Sequence, residues 1–395
     1  MLAAGTLAQA SFSASSVGLP ALGPALRSHY GLSLGETGVV LAAIGIGMLF
    51  TLLPWGLVAD RFDERWVIVV GLTCAAAALL GAAETHRYAT VTAALVATGA
   101  LGASVNAASG RAIMSWFPAE ELGLALGIRQ TAIPIGGALG AALLPVLASA
   151  GGTHLAFLFL GGSCAAGAAI AAAFVRTSGG REPELGDVTR PLHDPHMWLL
   201  GAGTGLYLTA QIGITGFVVL FLHDHRHVST HAAAALLAGI NLLAIGARIG
   251  SGRISDRLGT RLRPLRAIGI ALALATAAVA AATEAPLALL VPLFVVAGVL
   301  SMAWNGLAYA AAAQTAGSAR TGAALGFQQT LLGVVVAGAP PVVAAIATHS
   351  WRLAFAFAAA GPLVGTLLLR LVPDATPDAR RGTSALRQAA RGTPD

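Results

Sequence analysis

The chain has 395 residues, 56% of them hydrophobic and only 10% charged, with a mean hydropathy of +0.78. Soluble domains carry about 25% charged residues, so this composition is that of an integral membrane protein and excludes a water-soluble enzyme. The formal net charge of +6 comes with 23 arginines and no lysine, scattered through short loops instead of gathered on one soluble face, which excludes a nucleic-acid partner.

Apolar runs between charged or Gly/Pro breaks predict twelve spans: about 5–27, 35–58, 67–84, 90–114, 122–149, 153–175, 197–222, 231–251, 265–283, 285–313, 321–348 and 353–372. At about 1.5 Å per residue such runs cross a hydrocarbon core of about 30 Å as helices, which excludes outer-membrane strands. The first run has no basic stretch before it and no cleavage site after it, so it reads as a retained helix. Cys74 and Cys164 fall inside apolar runs, where they read as inert buried thiols with no disulfide and no metal site. The stretch 177–196 contains Gly-Gly, Glu-Pro-Glu and two further prolines, the composition of a flexible cytoplasmic linker between halves 1–176 and 197–373. Residues 374–395, rich in Arg, Asp, Thr and Pro, read as a disordered cytoplasmic tail.

With both termini inside, 17 of the 23 arginines lie in cytoplasmic loops and ends, while Arg27, Arg87, Arg226 and Arg352 face out. By the positive-inside rule this orients the chain. The other two, Arg129 and Arg248, lie within apolar spans.

A second signal is doubling. Gly56 to Arg65 and Gly252 to Arg261, 196 residues apart, both read G-x-x-x-D-R-x-x-x-R, each a short charged hairpin between apolar runs. The offset is repeated by Leu26 and Leu222 with their neighbours, and becomes 199 for Asn106 and Asn305. It stays 199 for the stretch from Gly123 to Thr131 against Gly322 to Thr330. Six spans per copy give both copies the same orientation, a parallel repeat about an axis along the membrane normal.

On these hairpins and on this doubling, the sequence resembles the major facilitator superfamily of secondary transporters over essentially its whole length. The family's signature between helices two and three is G-x-L-A-D-R-x-G-R-K; the second copy here keeps its central glycine at Gly259, whereas the first has Asp63 there and then Glu64. The resemblance implies an all-α membrane protein of twelve transmembrane helices in two pseudo-symmetric six-helix bundles. Spans one, four, seven and ten would line a central cavity opening alternately to each side. The sequence carries no P-loop, nucleophile elbow, metal-ligand cluster or nucleotide fingerprint, so neither ATP-driven transport nor enzymatic turnover is expected. The resemblance also sets the hairpin residues Asp60, Arg61, Asp256 and Arg257, with Arg111, as candidates for gating. Asp60 and Asp256 are expected to accept hydrogen bonds from helix N-termini of the opposite half, closing the cytoplasmic side. Gly136 and Gly140, with Gly246 and Gly250, are spaced four apart and are expected to allow close approach of spans five and eight.

The ionisable groups narrow the chemistry. All 17 acidic residues fall in loops, hairpins, linker or tail, and the ten histidines are peripheral too. The outer group His223, Asp224, His225, His227 and His231 lacks fixed metal-ligand spacing and reads as a solvated loop. Arginine in mid-membrane costs about 2.5–3.5 kcal/mol on insertion scales, so Arg129 and Arg248 are expected to face a cavity or a partner. Arg248-x-x-x-Gly252-x-x-x-Asp256-Arg257 is similar to the arrangement in monocarboxylate and oxalate/formate transporters. Gln130, Asn106, Asn305, Gln328 and Gln329, with Gln9, Tyr207, Gln211 and Tyr309, supply polar groups that suit a small ligand. The candidate substrate site is therefore Arg129, Gln130, Asn106, Arg248, Asn305, Gln328, Gln329, Tyr207 and Gln211. The expected function is secondary active transport of a small organic or inorganic anion, monocarboxylate-like, by a monomer in the bacterial inner membrane, with a coupling proton or an exchanged anion. No cofactor is expected. The alternative is an exporter of drug-like or uncharged metabolites.

Overall fold

The computed structural model describes residues 2–116, 127–175, 193–316 and 321–373, without the side chains of Asp60 and of residues 111–116 and 321–323. Residues 177–192 of the expected linker and the tail 374–395 lie outside the described residues. The described regular structure is helical, with no strand. In chain order it comprises α1 (Leu2–Ser16), a 3-10 turn (Leu19–Leu22), α2 (Gly23–Tyr30), α3 (Leu34–Arg61), α4 (Glu64–Ala83), α5 (Tyr88–Trp116) and α6 (Ala132–Phe174). Then follow α7 (Pro195–Leu220) with a π turn (Phe221–His225), α8 (Thr230–Leu258), α9 (Leu262–Ala281), α10 (Leu287–Ala303), α11 (Asn305–Ala316), α12 (Thr321–Ala347) and α13 (Trp351–Arg370). Ten helical stretches of the described residues are long and apolar enough to cross a membrane.

Local chemistry accounts for the breaks. Pro20 and Pro24 lack the amide that would continue a helix, so the first span is three pieces. Ser33 and Glu36 form a capping box that starts α3. The break expected between residues 149 and 153 is a sharp turn at Gly151 and Gly152 inside α6, where Gly152 has φ +65°, a conformation that favours glycine. The hairpins end differently for a visible reason: Gly259 closes α8 with φ +64°, whereas Asp63, at the matching place, sits at φ −56° and caps α4 by accepting from the Arg65 amide at 2.8 Å. A residue with a Cβ does not readily take the left-handed turn, and the aspartate instead satisfies the next helix's amides.

Helices α1 and α3–α6 pack on one another, as do α7–α13, and the two sets meet mainly through α3 against α12 and α6 against α8. Under the repeat, α3 corresponds to α8 and the first part of α6 to α12, so these two contacts are copies of each other. The glycine expectation is corrected here. A Cβ on Gly136 would stand 2.3 Å from the Ala10 carbonyl oxygen and one on Gly140 2.7 Å from that of Ala14, so both seat α1 and not α8. Gly246 and Gly250 have nothing within 4 Å. The glycine that touches α8 is Gly137, whose Cβ would lie 2.6 Å from Asn241 Oδ1.

Candidate functional site

Arg129 sits just before α6, in a helical stretch at residues 127–130, and turns back to α5. Its Nε donates to Ser109 Oγ at 2.9 Å and its Nη2 to the Asn106 carbonyl at 2.8 Å. Asn106 and Ser109, three apart, share a helix face, and Asn106 contributes its backbone, not its amide. Arg248, on α8, donates from Nε to the Met302 carbonyl at 3.0 Å and from Nη1 to the Gln130 carbonyl at 2.7 Å. Its Nη2 is buried without a hydrogen-bond partner among the described residues. Each arginine is only 8% exposed. Tyr309 of α11 makes side-chain hydrogen bonds with Gln130 and Gln329 near both. Among the described residues neither arginine is paired with a carboxylate. Two cations from the two helix sets thus converge on one buried polar group, where burial makes an unneutralised charge costly.

Gln328 occupies the seat that the repeat assigns to Arg129. Its Nε2 donates to Thr204 Oγ1 at 3.2 Å and to the Ala308 carbonyl at 3.4 Å, and Ala308 matches Ser109 at the offset of 199. Gln328 Oε1 is buried and has no hydrogen-bond partner among the described residues. Asn305 Nδ2 bonds the Met302 carbonyl at 3.3 Å and approaches Gln211 Oε1 at 3.5 Å. Tyr207 does not join this group. It is fully buried among α7, α9 and α13, bonded to Thr366 Oγ1 at 2.8 Å and to the Leu265 carbonyl at 3.3 Å, with its ring edge-on to Trp304. Gln9 is buried on α1, its Nε2 3.5 Å from Ser13 Oγ. Sequence reasoning passed over Ser109, Thr204 and Ser251; for Ser109 the signal was its spacing of three from Asn106.

At the end assigned to the outside the two helix sets are latched. Arg27 of α2 pairs with Asp224 of the π turn, and Asp224 also takes His223 Nδ1 at 2.8 Å. Gly23 abuts Leu220 with room of 3.0 Å for a Cβ, and Leu34 joins a buried cluster with Phe217, Leu220, Val343 and Ala354. His225 bonds Glu284 at 2.7 Å, which holds that exposed carboxyl below the usual carboxylate range. No group of three metal-ligating side chains exists among the described residues. Toward the inside, Leu49 against Gly333 and Arg248 on Gln130 are cross-contacts, while Gly56 and Gly326 beyond them have nothing near. Asp256 is exposed and paired with Arg261 of its own hairpin, and among the described residues its expected contact with the opposite half is not made. Arg61 and Arg257 are exposed, and the side chains of Asp60 and Arg111 lie outside the described ones.

The profile of the Major Facilitator Superfamily matches residues 4–340. An uncharacterized MFS-type transporter of Mycobacterium tuberculosis (strain CDC 1551 / Oshkosh) is 31% identical over 382 residues, covering 95% of this chain and 84% of that one. A probable sulfoacetate transporter of Cupriavidus necator is 29% identical over 147 residues, 37% of this chain and 34% of its own. The tetracenomycin C resistance and export protein of Streptomyces glaucescens is 36% identical over 126 residues, 31% of this chain and 23% of its own. Among solved structures, a bacterial homolog of the human lysosomal transporter Spinster, inward-facing and occupied, superposes with a TM-score of 0.73 at 16% identity over 94% of each chain.

Proposed function

The chain belongs to the major facilitator superfamily, and from that premise we propose that it moves a small anion, monocarboxylate-like, across the bacterial inner membrane by secondary active transport. One observation carries the reading: Arg248 reaches across the helix sets to the carbonyl of Gln130, the residue next to Arg129, and among the described residues neither arginine is paired with a carboxylate. A bound anion supplies the missing charge and joins the two sets. The partial match to a probable sulfoacetate transporter favours the same chemistry, and the partial match to an antibiotic exporter keeps the uncharged-metabolite reading as its rival. A coupling proton rides on the substrate or on a water at the site in this reading, since the sequence puts no carboxylate or histidine in mid-span; exchange for a second anion needs no such group.

The architecture proposed with it has twelve crossings. Residues 2–30 make one, α6 makes two about its Gly151–Gly152 turn, and α10 with α11 makes one. These form two six-helix bundles, 1–176 and 197–373, joined by a cytoplasmic linker at 177–196, with both termini cytoplasmic and the protein a monomer. A reporter fused within the linker should be active only in its cytoplasmic form; periplasmic activity there would overturn the orientation.

The transport reading is tested by a thermal-shift screen of the purified protein against acetate, sulfoacetate, nitrate and cyanate, followed by uptake into proteoliposomes. At 100 times its Kd a ligand that binds only the folded state adds about 2.7 kcal/mol, a shift readily seen. Stabilisation by neutral drug-like compounds and by none of the anions would favour the exporter.

A further inference from the structure

The second copy of the fourth span is interrupted, and the interruption has two side chains of α8 fastened to it besides Asn305 Nδ2, which bonds the Met302 carbonyl across it at 3.3 Å. Regular helix lapses for one residue, Trp304, between Ala303 and Asn305, although Trp304 keeps helical angles, φ −84° and ψ −22°, and its carbonyl accepts from the Ala308 amide at 3.0 Å. Helical carbonyls ordinarily accept from the amide four residues on. Here Arg248 Nε donates to the Met302 carbonyl at 3.0 Å, and Ser251 Oγ lies 2.8 Å from the Ala303 carbonyl and 3.0 Å from that of Arg248. All five residues from Met302 to Trp304 and on α8 are buried. The same molecule holds its own control. In the first copy α5 runs unbroken from Tyr88 to Trp116, and there the α3 positions matching Arg248 and Ser251 are Leu52 and Trp55. Leu52 has no donor to offer. Trp55 uses its indole amide elsewhere, on the Ala100 carbonyl at 2.7 Å.

We propose that Arg248 and Ser251 brace the interruption at two points, and that anion capture by Arg248 loosens one of them. Ser251 is a positioning residue: it touches no substrate, and it fixes where α11 starts and so where Tyr309 points. Arg248 divides its donors between the α10 carbonyl, the Gln130 carbonyl across the interface and one unpartnered amine. An anion is a stronger acceptor for the guanidinium than a neutral carbonyl, because opposite full charges face each other and the fork can bind it bidentately. Bound there, it draws Arg248 off Met302, leaves Ser251 as the remaining brace, and lets α11 swing about Trp304. Occupancy is thereby converted into movement of one half-span. This rests on the anion reading for the release step alone; the brace itself does not.

The test places spin labels at Leu289→Cys on α10 and Gln314→Cys on α11, both exposed, with Cys74 and Cys164 changed to alanine. The labels flank the interruption at roughly 37 Å along a straight helix. In the parent, saturating sulfoacetate or acetate should shift the distance. Ser251→Ala should broaden the distribution without any anion, slow transport about fivefold, the order expected for one orphaned buried carbonyl, and leave Kd within about twofold. Ser251→Thr, which keeps the hydroxyl, should behave as the parent and controls for folding. A Ser251→Ala protein with parental distances and turnover overturns the brace. If no anion binds, the parent distance will not respond to ligand while Ser251→Ala still broadens it: the release step falls with the anion reading and the brace stands.

Discussion

Arg129→Gln is expected to lower affinity for the anion roughly tenfold to a hundredfold, the loss of one charge-assisted contact worth about 1.5–3 kcal/mol, while the protein stays folded. The folded expectation comes from the molecule itself. Gln328 holds the equivalent seat in the second copy, donating to the carbonyl of Ala308 as Arg129 donates to its matching neighbour Ser109. Glutamine therefore fits that helix junction. Arg129→Lys should rescue poorly. The guanidinium spans Ser109 Oγ and the Asn106 carbonyl with two of its nitrogens; an ammonium is a single point with no planar fork to match a carboxylate. Calorimetric titration of both variants with whichever anion stabilises the parent protein decides the matter. Unchanged affinity and transport in Arg129→Gln would remove the anion from the site and make the uncharged-metabolite exporter the better reading.

The parts of this structure visible in the sequence are those written as composition. A run of apolar residues can hardly be anything but a membrane helix, so α3, which spans Leu34–Arg61, was expected at 35–58, and α9, which spans Leu262–Ala281, at 265–283. Polar residues in such runs stand out, so Arg129, Gln130, Arg248 and Gln328 were all legible. What a spacing cannot state is direction. Gly136 and Gly140 share a face, but one residue is a rotation of about 100° on a helix, and that separates the face seating α1 from Gly137, which meets α8. Tyr207 was misplaced for the same reason: its hydroxyl found Thr366 within its own helix set. The interruption at Trp304 had no proline to announce it. It is tied to donors on another helix, and tertiary partners override local propensity there.

Breaking the outer latch should open that end. Asp224→Asn is expected to raise the outward-open population roughly fivefold to thirtyfold, for a loss of about 1–2 kcal/mol. The estimate lies above that for a surface pair because Asp224 is only 21% exposed and serves both Arg27 and His223, and below that for a buried one because Arg27 is 36% exposed. Apolar contacts of Gly23 with Leu220 and of Leu34 with its cluster remain in the variant, so the end is loosened and not unfolded. Labelling of a cysteine placed at Ala347, buried in the same cluster, by a membrane-impermeant thiol reagent added outside reads the population directly. Arg27→Gln should act in the same direction, and the exchange Arg27→Asp with Asp224→Arg should restore closure, because the pair works through opposite charge across the two helix sets. Raising salt to about 1 M shortens the screening length to about 3 Å, so the parent should drift toward the variants as salt rises while the variants hardly respond. A parent whose labelling is indifferent both to salt and to Asp224→Asn would leave the outer end closed by apolar packing alone, with Arg27 and Asp224 merely touching over it.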